Sequence, residues 1–215
     1  LIDAGQIEVA QHSEYYNSVN PILKRVNTSL IKYKIKDDEN IENQLAKLGI
    51  EKSQISKIIL THLHIDHMNG INYFPSTKIL VNKVEWKKPY GNLPTLYPKW
   101  FKPTKVNFTD TFENFDKAKY LTNDKTMVYI QTSGDTYGHS SVMLKTDEGY
   151  LFFSGDLCYS QEQLLTGKFA GINIDSKAAK KNHVEVKEFC ENNKVVLLPS
   201  HDHNSLKRLE KIEFV

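Results

Sequence analysis

The run Lys57-Ile58-Ile59-Leu60, continued at once by Thr61-His62-Leu63-His64-Ile65-Asp66-His67, constrains this chain more than any other stretch. Ile58, Ile59 and Leu60 are unbroken apolar sequence led in by the turn-like Lys52-Ser53-Gln54, the pattern of a strand buried on both faces. Such a strand is a rigid mount for the histidine loop at its end. In extended backbone alternate side chains share a face, which puts His62 and His64 on one side with Asp66 after them. Two neutral imidazoles and a carboxylate suit a borderline divalent cation. His67 is adjacent to Asp66 and points elsewhere, so one loop serves two neighbouring metals. A lone histidine beside an apolar strand is ordinarily a satisfied core or surface residue. Burying three imidazoles and a carboxylate with no cation leaves many polar groups to satisfy.

The arrangement recurs along the chain. Met127-Val128-Tyr129-Ile130 and Val142-Met143-Leu144 read as strands, and the segment between them delivers His139. Tyr150-Leu151-Phe152-Phe153 is a strand ending at Ser154-Gly155-Asp156, where glycine permits a sharp turn before a carboxylate. Val195-Val196-Leu197-Leu198 is a buried strand opening onto Pro199-Ser200-His201-Asp202-His203. The set His62, His64, Asp66, His67, His139, Asp156 and His201 matches a dinuclear site, in which one carboxylate bridges two ions about 3.5–4 Å apart. Other polar groups read differently. His12 lies in an irregular polar segment and is expected in solvent. His183 falls along one side of a helix over Ser176–Asn192, with Ala179, Val186 and Phe189 or Cys190, and is expected to pack there. Asp3, after Leu1-Ile2 at a strand end, is either a turn cap or a group that orients a metal-bound histidine.

Between these stretches, Ile41, Leu45 and Leu48 mark an amphipathic helix from Asp38 to Gly49, with Asp38 or Asn40 as N-cap. Running directly into the central strand, it makes a helix-then-strand unit of the α/β kind. Lys78-Ile79-Leu80-Val81 is a neighbouring strand. Trp86 to Pro103 holds four prolines and five aromatics, hard to continue as helix or central strand, and is expected to be a long ordered loop. It would roof a substrate pocket, form a subunit contact or lie pinned to the surface.

A length of 215 residues fits a single domain over 1–215. With 28 basic against 26 acidic residues and a net charge of +2, nothing calls for nucleic acid or an anionic membrane as partner. Cys158 and Cys190 have no metal-like spacing and make no disulfide framework, which points to a reduced, cytoplasmic compartment. No run approaches the roughly 18 apolar residues of a membrane span. The opening Leu1-Ile2-Asp3-Ala4-Gly5 reads as the end of a strand, so upstream residues are expected, and a removed signal peptide stays open as the alternative to the cytoplasmic reading.

The spacing HxHxDH, then a distant His, an Asp and a last His, resembles the signature of the metallo-β-lactamase superfamily, and the match runs from Asp3 to His201. The resemblance implies an α/β fold, an αββα sandwich of two mixed β-sheets flanked by helices, here without the usual N-terminal strands. It implies that His62, His64 and His139 bind a first metal, that Asp66, His67 and His201 bind a second, and that Asp156 bridges them. Within the superfamily the chain is most similar to the N-acyl-homoserine lactonases. Those enzymes carry a tyrosine three residues after the bridging aspartate, matched by Tyr159, and a TPGHSPGH-like run, matched by Thr132 to His139. Asp135 stands where that run has its first histidine, and Tyr137 where it has a proline.

The activity implied is opening of the lactone ring of N-acyl-homoserine lactones, a quorum-quenching reaction, by a hydroxide bridging two divalent ions. Zinc is the first candidate; iron, manganese and cobalt are alternatives. Tyr159 would hydrogen-bond the carbonyl oxygen and Asp66 would shuttle a proton to the leaving alkoxide. The partner would be a small molecule with an acyl chain, and the protein a monomer or homodimer. Rival readings on the same site are a thioesterase of the glyoxalase II kind, a phosphodiesterase, and a mononuclear iron persulfide dioxygenase.

Overall fold

Continuous apolar runs become strands. In the computed structural model, which describes residues 1–30, 34–169 and 173–215, these strands fall into two sheets. The described residues divide into two compact units, residues 1–80 with 91–104, and residues 81–90 with 105–215.

In the first unit β1 (Lys57–Ile59) runs parallel to β2 (Lys78–Asn82), pairing Ile58 with Ile79 and Ile59 with Leu80. The expected strand at Leu1-Ile2 amounts to one parallel bridge, Ile2 to Ile59. It stops there because Asp3 takes a left-handed backbone conformation, φ 52°. Helix α1 spans Pro21–Arg25, and α2 spans Ile41–Lys47 with Asn40 as its cap, accepting from Asn43 N at 2.9 Å. Leu45 of α2 is buried as its spacing requires, but Leu48 lies past the last turn and is 73% exposed. Gly70 is obligatory: a Cβ there would lie 2.0 Å from Ala4 O, where the two backbones cross. A short helix, α3 (Ile65–Met68), closes the histidine motif. Leu93 packs with Tyr16, Val19 and Ile65.

The second unit holds α4 (Lys83–Lys87) and a six-stranded sheet, β4 (Asp110–Phe112), β5 (Phe115–Tyr120), β6 (Met127–Gln131), β7 (Ser140–Lys145), β8 (Tyr150–Gly155) and β9 (Val195–Pro199), in that spatial order. Successive strands pair antiparallel up to β8, whereas β8 and β9 are parallel. A parallel pair needs a long crossover. Here it carries α5 (Gln161–Thr166) and α6 (Ser176–Asn192), and α7 (Ser205–Lys211) comes after β9. Val186, Phe189 and Cys190 of α6 bury against Val128, Ile130, Phe152 and Leu197. The smaller sheet has the order β1-β2-β3, β3 being Thr104–Val106. The α/β class and the two sheets flanked by helices are thus as expected.

One expectation needs correcting. The 86–103 stretch is not all loop: Trp86 and Lys87 close α4, and Pro94–Leu96 form a 3-10 turn. Several elements, among them the strands β4 and β5 and the helices α5 and α7, leave no clear pattern in the sequence.

Candidate metal centre

In the first unit all four side chains of the central motif come together. Leu60 N bonds to Leu80 O at 3.0 Å, so the register of β1 is held to the residue before Thr61. His62 is fully buried, and its Nε2 lies 2.9 Å from His64 Nδ1. The rings of His62 and His67 have centroids 4.1 Å apart, and His67 Nε2 is 3.8 Å from Asp66 Oδ2. The backbone differs from expectation after His64. That residue is extended, but Ile65 to Met68 form a helical turn in which His67 N and Met68 N bond to His64 O, both at 3.1 Å. Asp66 and His67 therefore project from a helix and not from an alternating strand.

Asp3 sets where the protons of this cluster lie. Its Oδ1 accepts the Thr61 N–H at 2.7 Å, and its Oδ2 accepts the Thr61 hydroxyl at 2.8 Å. The same Oδ2 is 2.9 Å from His67 Nδ1. An ionised carboxylate only accepts, so His67 Nδ1 carries the proton and Nε2 keeps its lone pair. The single hydroxyl proton of Thr61 is committed to Asp3. The 2.9 Å contact between Thr61 Oγ1 and His62 Nδ1 must therefore have the ring donating, which again leaves the lone pair on Nε2. Of the two roles open to Asp3, the contacts are those of the group that orients histidines. His12 is exposed, and His183 bonds through Nε2 to Leu164 O at 3.0 Å inside the α6 packing.

In the second unit Asp156, His139 and His201 come together, with Tyr159 beside them. Asp156 follows Gly155, whose φ of 56° turns the chain out of β8. Its Oδ2 lies 3.3 Å from His201 Nε2, and the His201 ring meets Tyr159 edge-on at 5.4 Å. His139 is fully buried; its Nδ1 is 2.9 Å from Thr132 O and its Nε2 accepts Asp156 N–H at 2.9 Å. Asp202, next to His201, anchors the loop after β9 by accepting from Gln161 N at 3.0 Å and Arg208 Nη2 at 2.8 Å. Burial works against its ionisation, but bonds from the Gln161 and Asn204 amides and from Arg208 outweigh it and hold the carboxyl below the usual range.

Several residues that position this second group carry no signal in the sequence. Glu85, wholly buried on α4, accepts from Thr136 Oγ1 at 2.7 Å and from Gly138 N at 3.1 Å. Asn82 donates to Gly138 O at 2.8 Å. A Cβ on Gly138 would sit 2.1 Å from Glu85 N, so only glycine lets the segment lie this close to α4. An asparagine and a glutamate just after a predicted strand look like ordinary helix-start residues, and nothing in their spacing marks them as braces.

The comparisons with known proteins agree with this fold. Residues 30–201 match the family model of the metallo-beta-lactamase superfamily. One relative, an N-acyl homoserine lactonase of a Bacillus species, is 27% identical over 175 residues, 79% of this chain and 64% of the relative. The chain thus spans 64% of that relative's length. A solved N-acyl homoserine lactone hydrolase, with the product N-hexanoyl-L-homoserine at its catalytic metal centre, superposes with a TM-score of 0.73 at 19% identity, covering 96% of this chain and 77% of that one. AidC, a dizinc quorum-quenching lactonase, gives a TM-score of 0.62 at 16% identity, over 94% of this chain and 68% of that one. At such identities the structural likeness speaks to the fold alone. The family model, however, takes in most of the chain, and on that ground the chain belongs to the metallo-beta-lactamase superfamily.

Proposed function

We propose that the chain is a hydrolase with a dinuclear metal centre that opens the lactone ring of N-acyl-homoserine lactones. One observation carries the metal reading. The Asp3 and Thr61 contacts put the ring protons of His62 and His67 on Nδ1 and the lone pairs on Nε2, in a buried cluster where His62 Nε2 is only 2.9 Å from a nitrogen of His64. Lone pairs so presented suit a cation. The proposed donors are His62, His64, Asp66 and His67 from the first unit and Asp156 and His201 from the second. The sequence register adds His139, whose ring nitrogens already have partners within the second unit. The substrate class rests on what the relative and the solved neighbours are named for.

Nitrogen and oxygen donors of this kind suit zinc first, and also iron, manganese or cobalt. Bound there, two cations would supply activation of water at neutral pH and polarisation of the acyl carbonyl. The rest of the work belongs to the chain. Tyr159, packed edge-on against His201, donates its hydroxyl to the carbonyl oxygen as charge builds there. Asp66 carries a proton to the ring oxygen as the ester bond breaks. Asp3 and Thr61 hold two imidazoles in the tautomer that binds.

The test is a panel of lactone, thioester and phosphodiester substrates offered to the zinc-loaded chain. Ring opening of an N-acyl-homoserine lactone is expected to be the fastest turnover. A chain that leaves lactones intact and cleaves the thioester or the phosphodiester has another substrate class.

A further inference from the structure

The six residues of α5 make fewer than two turns, so most of the helix's backbone end groups must be met from outside it. At its C-terminal end α6 does this: His183 Nε2 donates to Leu164 O and Lys187 Nζ to Leu165 O, both at 3.0 Å. At its N-terminal end Ser160 Oγ accepts from Gln163 N at 3.2 Å, and Gln161 N donates to Asp202 Oδ2 at 3.0 Å. The Ser160 bond is local. The Asp202 bond reaches 41 residues along the chain, to the neighbour of His201.

Asp202 is itself fixed. Its Oδ2 also accepts from Arg208 Nη2 at 2.8 Å, and its Oδ1 accepts from Asn204 N at 2.9 Å. Arg208 in turn donates through Nε to Leu197 O of β9 at 3.1 Å, and both side chains of the ion pair are only 7% exposed. A buried ion pair adds little net stability over well-packed apolar side chains, but its forked groups fix direction. The line of contacts thus runs from β9 through Arg208 and Asp202 to the first residue of α5, two places after Tyr159. Tyr159 N bonds to Gln163 Oε1 at 2.7 Å, which ties that residue to the same helix, and its ring meets His201 edge-on at 5.4 Å. One carboxylate therefore follows the imidazole in the chain and grips the helix that carries the phenol.

We propose that Asp202, held by Arg208, is a positioning residue that sets the Tyr159 hydroxyl against His201 for turnover, and that it acts through the Gln161 N–H. The inference rests on the role given to Tyr159 above. It separates two effects of one carboxylate: its bonds to Arg208 and to the Asn204 amide stabilise the loop after β9, and its bond to the Gln161 amide contributes rate. Gln161→Pro isolates the second. Gln161 is the first residue of α5, where the helix makes no use of the N–H, and Ser160 before it is extended, φ −153° and ψ 159°, as a residue preceding proline should be. The substitution therefore removes the bond to Asp202 and leaves the helix.

The test is kinetics of the zinc-loaded chain on N-hexanoyl-L-homoserine lactone, with proton NMR of the same samples. Gln161→Pro is expected to lower kcat by about 10-fold or more with KM and zinc content unchanged, and Asp202→Ala, which leaves the α5 backbone intact, to lower kcat likewise. Combined with Tyr159→Phe, Gln161→Pro costs nothing further, because a hydroxyl already gone cannot be misplaced; a merely structural part would cost the same in both backgrounds. NOE cross-peaks between the Tyr159 and His201 rings are expected in the parent and weakened in both variants. The inference is overturned if Gln161→Pro keeps the parent kcat, if its loss is as large in the Tyr159→Phe background, or if the cross-peaks are absent from the parent or undiminished in the variants. Tyr159→Phe with the parent kcat instead overturns the role of Tyr159, and a parent that opens no lactone overturns the proposed function, each taking this inference with it.

Discussion

Replacing Asp3 by asparagine isolates the contribution of one carboxylate to the histidine cluster. Asparagine tolerates the left-handed backbone at this position, φ 52°, so the change does not add the strain that alanine would. Its carbonyl oxygen can still accept the Thr61 N–H, now made at 2.7 Å. What goes is the oxygen that serves both the Thr61 hydroxyl at 2.8 Å and His67 Nδ1 at 2.9 Å. An amide NH2 in that place donates, and it favours the ring tautomer with the proton on Nε2, the nitrogen meant for the metal. Loss of such an orienting partner costs about 10- to 100-fold in metal affinity, which is about 1.4–2.8 kcal/mol. Two charge-assisted hydrogen bonds at about 1.5–3 kcal/mol each set the ceiling, since the two share one oxygen and do not add. The assay is zinc competition against a chromophoric chelator, with melting of the metal-free chain as control. Parent affinity in Asp3→Asn would refute the argument from proton placement.

Other consequences are checked separately. Tyr159→Phe should keep its full metal content and lower kcat, by about 10²-fold if its hydroxyl acts as an oxyanion donor; an unchanged kcat removes that role. Gly138→Ala should destabilise by about 3 kcal/mol, because the new methyl meets Glu85 backbone at 2.1 Å and not a yielding side chain, and urea unfolding measures it. The Asp202 carboxyl has a folded pKa below the ordinary aspartate value of 3.8, so its stabilising contribution is complete above about pH 4 and is lost as the pH falls through the folded value. Asp202→Asn should accordingly lower the urea midpoint at pH 7 and lose that effect progressively in acid. Burial pushes the thiols of Cys158 and Cys190 up to about 12, so Ellman's reagent should label neither in the folded chain and both in denaturant.

What could be read from the sequence and what could not divide on physical lines. Strands β1, β2, β6, β8 and β9 and helix α6 announce themselves because burial on both faces, or along one helical stripe, leaves a pattern that few polar residues interrupt. Strand β5 does not, since only Phe115 and Ala118 of Phe115–Tyr120 are buried and charges fill the sites between. Helices α5 and α7 are held by local bonds, such as Ser160 Oγ accepting from Gln163 N at 3.2 Å, and have too few turns to show a period. In the candidate site itself, the proposed donors stand out by type and spacing. Their bracing does not, because Thr61, Asn82 and Glu85 act through hydrogen bonds to groups more than fifty residues away in the chain. His139 shows this most plainly: its place in the register is legible in the sequence, whereas the contacts of its ring with Thr132 O and Asp156 N are not.

The central claim is that donors from both ends of the chain serve one pair of ions. Anomalous diffraction at the zinc edge from a crystal of the zinc-loaded chain tests it most directly. Two peaks about 3.5–4 Å apart, ringed by His62, His64, Asp66, His67, Asp156 and His201, are the expected result. A single peak, or none among these residues, would contradict it.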